Sequence, residues 1–195
     1  MPSPSWPLCL QYSTRATLFL IVFSFIGNYW YTHYFYCVLK ASYTFVGVRL
    51  NDVPIGMYFA TVFYFNFYHA FSNTVLRYID VVFSPSGTRT ALFIMVILSL
   101  SYFTAFMETL TISAFPYYTF ADRDMAYTVG SLFYGIYFIF SFPMFFYFDE
   151  NCRGGWTGLW DTVVASAGCG MLVLISLDAV RLYLGIDFVM AAGGG

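Results

Sequence analysis

Five apolar stretches, each long enough to cross the roughly 30 Å hydrocarbon core of a bilayer as a helix, follow one another at 16–39, 54–76, 90–115, 129–148 and 162–184. Between them lie only short loops of punctuating residues. Arg49, Asn51, Asp52 and Pro54 separate the first two; Asp80, Ser84, Pro85 and Gly87 the next; then Pro116, Asp122 and Arg123; then Asp149, Glu150 and the Gly154-Gly155 pair. Only 9% of the 195 residues are charged, against about 25% in an ordinary soluble domain. A water-soluble surface cannot be built from so few charges, and the mean hydropathy of +0.71 points to lipid as the solvent. The pattern predicts an all-α, polytopic membrane protein. Residues 1–195 read as a single transmembrane helical domain, a bundle of about five spans.

Other classes lose their support. Eight Lys and Arg against ten Asp and Glu leave a net charge of −2, which offers no basic surface for nucleic acid. No protein partner is indicated, and the partner implied by composition is the lipid bilayer. Cys9, Cys37, Cys152 and Cys169 are scattered, with neither a disulfide framework nor a zinc spacing. Only His33 and His69 are present, and no HExxH, P-loop or GxGxxG pattern occurs, so a metal hydrolase or nucleotide-binding reading has no motif behind it. The first apolar run is too long for a secretory signal and no small-residue cleavage site closes it, so it reads as a retained membrane helix. Arg15, Arg77, Arg89 and Arg153 fall on one side of the membrane and Lys40, Arg49, Arg123 and Arg181 on the other, which leaves orientation open. Pro143 sits inside the fourth stretch and predicts a kink rather than a break.

Ionisable groups inside a span are costly and mark either function or interhelical contact. Glu108 lies deep in the third stretch, with Ser101, Thr104 and Thr111 at helical spacings from it. Taken out of water, a carboxyl favours its neutral form, so Glu108 is either a proton donor or a neutral group that hydrogen-bonds another helix. Asn66, His69 and Asn73 recur at three and four residues and form one polar stripe that must face protein or water. His33, with Asn28 and Thr32 one turn apart beside it, interrupts the first stretch in the same way. Asp178 and Arg181 are spaced for a mutual ion pair near the end of the last stretch, or for holding a hydroxyl at a pocket mouth. The 24 Phe, 18 Tyr and 4 Trp exceed what two interfacial belts need. They suit either helix packing in lipid or a dry cavity that shelters a carbocation.

Several strings together resemble the cycloeucalenol cycloisomerase family of plant and algal sterol synthesis. They are residues 27–35 (Gly-Asn-Tyr-Trp-Tyr-Thr-His-Tyr-Phe), 40–45, 67–73, 100–109 (Leu-Ser-Tyr-Phe-Thr-Ala-Phe-Met-Glu-Thr), 115–118, 122–123, 135–146 and 149–150. The similarity runs from about residue 16 to 185. Members of that family carry further hydrophobic segments ahead of the first span, so a chain shortened at its N-terminus is expected. A weaker resemblance, at 107–109 and 177–181, is to the emopamil-binding protein family of sterol Δ8-Δ7 isomerases, and it implies that Glu108 lines a sterol pocket.

The first resemblance implies an isomerase that opens the 9β,19-cyclopropane ring of cycloeucalenol to give obtusifoliol, by protonation at C19 and proton loss from C8. It implies no redox cofactor and no metal, a sterol as the substrate, and a multi-pass location in the endoplasmic reticulum membrane. Glu108 would be the acid and His69 or His33 would accept or relay the second proton, although the roles of acid and base are interchangeable at this level. Asn28, Asn66, Asn73, Thr104, Thr111, Asp178 and Tyr117 would contact the sterol. The alternatives that share these features are a Δ8-Δ7 isomerase and a sterol-binding protein without turnover.

Overall fold

The computed structural model describes residues 12–31, 36, 41–150 and 158–185. Five long helices occupy the five stretches: α1 (Tyr12–Trp30), α2 (Ile55–Val82), α3 (Gly87–Ser113), α4 (Ser131–Glu150) and α5 (Leu159–Leu184). Three helical segments, Gly87–Ser113, Arg123–Tyr147 and Leu159–Val180, are long and apolar enough to cross a membrane. The chain is thus an all-α, polytopic membrane protein with several long apolar helices. Among the described residues, α1 and α2 are not in that set of three, and both carry polar side chains. Tyr58, Tyr64, Asn66, Tyr68, His69 and Asn73 all lie on α2, and Arg15 and Asn28 on α1. The helix in the first stretch ends at Trp30, and His33 and Thr32 lie outside the described residues.

Local chemistry sets the ends. Pro54 immediately precedes α2, where a missing amide costs nothing because the first helical amides have no intrahelical acceptor. Pro85 closes the turn before α3, and the Ser86 hydroxyl caps that helix by accepting from the Arg89 amide at 3.2 Å. Asp161 folds back to accept from the Gly158 amide at 3.2 Å at the start of α5. Gly185 ends α5 with φ of 64°, the left-handed conformation that glycine adopts without strain. A single helical turn at Arg123–Met125, capped by Asp122, passes into a π-helical stretch at Ala126–Gly130 and then into α4. α4 continues through Pro143 to Glu150 without a break.

Two short antiparallel ribbons join the helices, an addition to the expected all-helical pattern. In the first, β1 (Ala41–Tyr43) pairs with β4 (Tyr118–Phe120), Tyr43 opposite Tyr118, and so ties the α1–α2 connection to the α3–α4 connection. The Ser42 and Thr119 hydroxyls hydrogen-bond across it at 2.7 Å. In the second, β2 (Arg49–Leu50) and β3 (Val53–Pro54) flank Asn51 and Asp52, both at positive φ (50° and 62°), as a two-residue hairpin requires. Strands of two or three residues carry no period for a sequence to display, so both ribbons read there as loop.

α4 is the hub, packed on all four other long helices, with its broadest interface on α3. Its Phe138 and Phe142 are buried with Phe19 and Phe23 of α1, Phe65 of α2, and Cys169 and Val173 of α5. The Ser166 hydroxyl donates to the Phe19 carbonyl at 2.7 Å, joining α5 to α1. The outer faces stay apolar: Phe59, Phe63 and Phe67 follow one another at helical spacing on α2 and are 65%, 73% and 67% exposed, a stripe suited to lipid. Close approach of α1 and α5 depends on Gly170, where an added Cβ would stand 2.8 Å from Ile26 Cγ2. Gly168, two residues earlier, faces open space. Gly170→Val is therefore expected to destabilise the bundle by about 1–3 kcal/mol through overpacking, while Gly168→Val stays near neutral. Thermal unfolding of the detergent-solubilised variants measures the difference.

Candidate active site

α3 presents Glu108 five residues before its last residue, roughly 7.5 Å along the axis. The side chain is half-buried, and its Oε2 accepts a hydrogen bond from the Tyr134 hydroxyl of α4 at 2.7 Å. Tyr68 of α2 is a second hydroxyl neighbour of the same carboxyl. The carboxyl therefore sits between two helices that each offer a phenol to it. Hydrogen-bond donors from outside the protein are not required, which is what a charge-poor interior demands.

A cavity of about 100 Å³ opens beside Glu108. Six tyrosines, Tyr31, Tyr43, Tyr64, Tyr118, Tyr134 and Tyr137, line it, with Asn28, Thr61 and Thr109 as the other polar side chains. Among the described residues, Glu108 is the one carboxyl in that lining. The ribbons border one side through Tyr43, Val53 and Tyr118. Burial holds the phenols of Tyr43 and Tyr118 above their ordinary range, so both meet the cavity as neutral hydroxyls. The Tyr118 hydroxyl also approaches Met57 Sδ at 3.6 Å.

The sequence-predicted residues divide. Asn28 lines the cavity; its amide donates to the Ser24 carbonyl at 2.9 Å and its Oδ1 accepts from Thr61 at 3.4 Å. His69 lies elsewhere, fully buried among Phe23, Phe65, Phe138, Phe142 and Phe145, with the last two ring centroids 5.1 and 5.3 Å away. Its Nδ1 is 2.7 Å from the Phe65 carbonyl and its Nε2 2.9 Å from Ser141 Oγ. A carbonyl only accepts, so Nδ1 carries a proton and, in the neutral ring, Nε2 accepts from Ser141. His69 thus pins α2 to α4.

Asn66 turns its amide onto the Val62 carbonyl of its own helix at 2.7 Å, and Asn73 is half-buried farther along α2; neither lines the cavity. Thr104 is buried a turn before Glu108, and Thr111 is exposed a turn after it, donating to the Met107 carbonyl at 2.6 Å. Asp178 is exposed on α5, and the side chain of Arg181 lies outside the described set, as does His33. Tyr117 is 55% exposed, whereas Tyr118 turns inward. Tyr117 lies in the turn before β4 and Tyr118 opens the strand, so the motif at 115–118 held a cavity residue one position on.

Tyr134, Tyr31, Thr61 and Tyr68 were not singled out from the sequence. The only signal for the three tyrosines was the excess of that residue, and nothing in a list of 18 says which of them meet a carboxyl distant in the chain; Thr61 had no signal at all.

The chain is 48% identical over 177 residues to cycloeucalenol cycloisomerase from Arabidopsis thaliana, an alignment that takes in 90% of this chain and 63% of that relative. The chain thus spans less than two thirds of the relative's length. No family model matches it, and no solved structure matches it. Across the residues that the two share, the chain is similar to cycloeucalenol cycloisomerase.

Proposed function

We propose that the chain opens the cyclopropane ring of a 9β,19-cyclopropyl sterol such as cycloeucalenol, giving obtusifoliol, and that it does so in the endoplasmic reticulum membrane with all five long helices crossing the bilayer. The observation that carries this reading is Glu108, a single carboxyl in a tyrosine-walled cavity among apolar helices. The homology with a cycloisomerase gives it a substrate class.

A strained carbon–carbon bond is a weak base, so its donor must be a neutral acid placed where water does not compete. Glu108 delivers its proton to C19; the electron pair of the C9–C19 bond forms the new C19–H bond, and C9 is left cationic. C8 then loses a proton, and the electrons of its C–H bond become the C8–C9 double bond. C8 and C19 are both bonded to C9, so the carboxylate left on Glu108 by the first step already stands beside the C8 hydrogen and takes it. The acid is restored, and atoms and charge balance without a further reactant. The faces of Tyr31, Tyr134 and Tyr137 supply negative quadrupole to the cation.

In this scheme His69 holds the helices rather than moving protons, as its phenylalanine surroundings favour. Asn28, with the neutral phenols of Tyr43 and Tyr118, is the polar anchor for the sterol hydroxyl. Pockets that enclose a whole drug-sized ligand run to about 300–1,000 Å³. A cavity of about 100 Å³ takes the reacting rings, and the rest of the sterol lies against the apolar outer surface.

Microsomes from cells expressing the chain should convert cycloeucalenol to obtusifoliol, and Glu108→Gln should lower that conversion at least about 100-fold. Gas chromatography with mass spectrometry reads the product; turnover by the Gln variant at the wild-type rate would sink the assignment. Movement of the double bond in a Δ8 sterol, with the cyclopropane left intact, would replace it with the isomerase of the other family.

Protein equilibrated in deuterium oxide and given less than one equivalent of sterol should place one deuterium in the new C19 methyl. An unlabelled methyl under that single-turnover condition rules out protonative opening.

A further inference from the structure

The carboxyl of Glu108 has two oxygens and the reaction uses a proton on one of them. We infer that Tyr134 is the positioning residue that makes Oε1 the proton-delivering oxygen of Glu108, an inference that rests on the ring opening proposed above. The Tyr134 hydroxyl donates to Oε2 at 2.7 Å. An oxygen that accepts such a bond takes the carbonyl role in the neutral acid, and the acidic proton is left on its partner.

The geometry is held from behind. The Tyr134 ring meets Tyr137 edge-on at 5.1 Å and Phe138 at 5.3 Å. Tyr137 meets Tyr31, the residue after α1, edge-on at 4.6 Å, and the Tyr31 hydroxyl donates to the Gly170 carbonyl of α5. A continuous line of contacts therefore runs from the α5 backbone through the rings of Tyr31, Tyr137 and Tyr134 to the carboxyl on α3. Gly135, next to Tyr134, brings the two backbones together: a Cβ there would lie 3.6 Å from the backbone of Ser101. Tyr68 stands beside the same carboxyl from the α2 side, and the Tyr134 bond to Oε2 is the contact that distinguishes one oxygen from the other.

The test uses purified full-length chain, its Tyr134→Phe variant, which keeps the ring and its packing, and Glu108→Gln. Tyr134→Phe should lower kcat roughly 10- to 100-fold with little change in KM, the pattern of a group that acts on the acid and not on sterol binding. Infrared difference spectroscopy supplies the readout that a merely structural role would not move. The carboxylic C=O band that disappears in Glu108→Gln should lie at a hydrogen-bonded frequency in the wild type and shift upward in Tyr134→Phe. Wild-type kcat in Tyr134→Phe, or a lowered kcat with an unmoved band, overturns the inference while leaving Glu108 as the acid. A wild-type band already at the frequency of a free acid overturns it with no variant at position 134. Undiminished conversion by Glu108→Gln removes the proposed ring opening itself, and the inference with it.

Discussion

Hydrocarbon donates no hydrogen bonds and accepts none, so a polar side chain on these helices must find its partner inside the chain. That constraint organises the interior. Asn28, Asn66, Thr109 and Thr111 each fold back to a carbonyl one turn earlier on their own helix. His69 uses its own helix with one nitrogen and α4 with the other. Glu108 differs in kind, since its Oε2 accepts from a phenol of another helix and the carboxyl also borders open space. A carboxyl satisfied in that way is left with an oxygen directed to whatever enters the cavity.

The periods that a membrane imposes were legible from residue order alone. Breaks at Pro54 and at Pro85 to Gly87 coincide with helix starts; the fifth helix begins at Leu159, three residues ahead of the expected stretch, and ends where Gly185 takes its left-handed turn. Glu108 was legible because a lone charge in an apolar run has few innocent explanations. The polar stripe on α2 was a correct face with mixed destinations: Asn66 and His69 are three residues apart, yet one serves its own helix and the other a neighbouring helix. Periodicity gives direction around an axis and says nothing of what waits there. Tyr134 and Tyr31 were illegible for that reason, because their importance lies in helix neighbours that no local pattern encodes.

Aromatic residues carry two loads in this fold. On the outside, Phe59, Phe63 and Phe67 of α2 are exposed; on the inside, Phe65 and Tyr68 of the same helix meet α4 at 5.6 and 5.9 Å through Phe138. Because both faces of α2 are aromatic, composition cannot say which side is core. The decision falls to the few polar groups. His69 must be buried against Ser141, and that single bond orients the helix so that Tyr64 and Thr61 reach the cavity.

The π-helical stretch ahead of α4 has an angular effect at the site. An α-helix advances about 100° per residue, and a π turn absorbs one residue more than an α turn. Asp122, whose carboxylate accepts from the Met125 amide at 2.9 Å, fixes the start of the count. Measured from that cap, the residues after Gly130 are rotated back by about one position, so that Tyr134 stands where Phe133 would stand in an unbroken helix. One extra residue in the winding thus puts a hydroxyl, where a bare ring would otherwise be, opposite the carboxyl of Glu108 in the cavity wall.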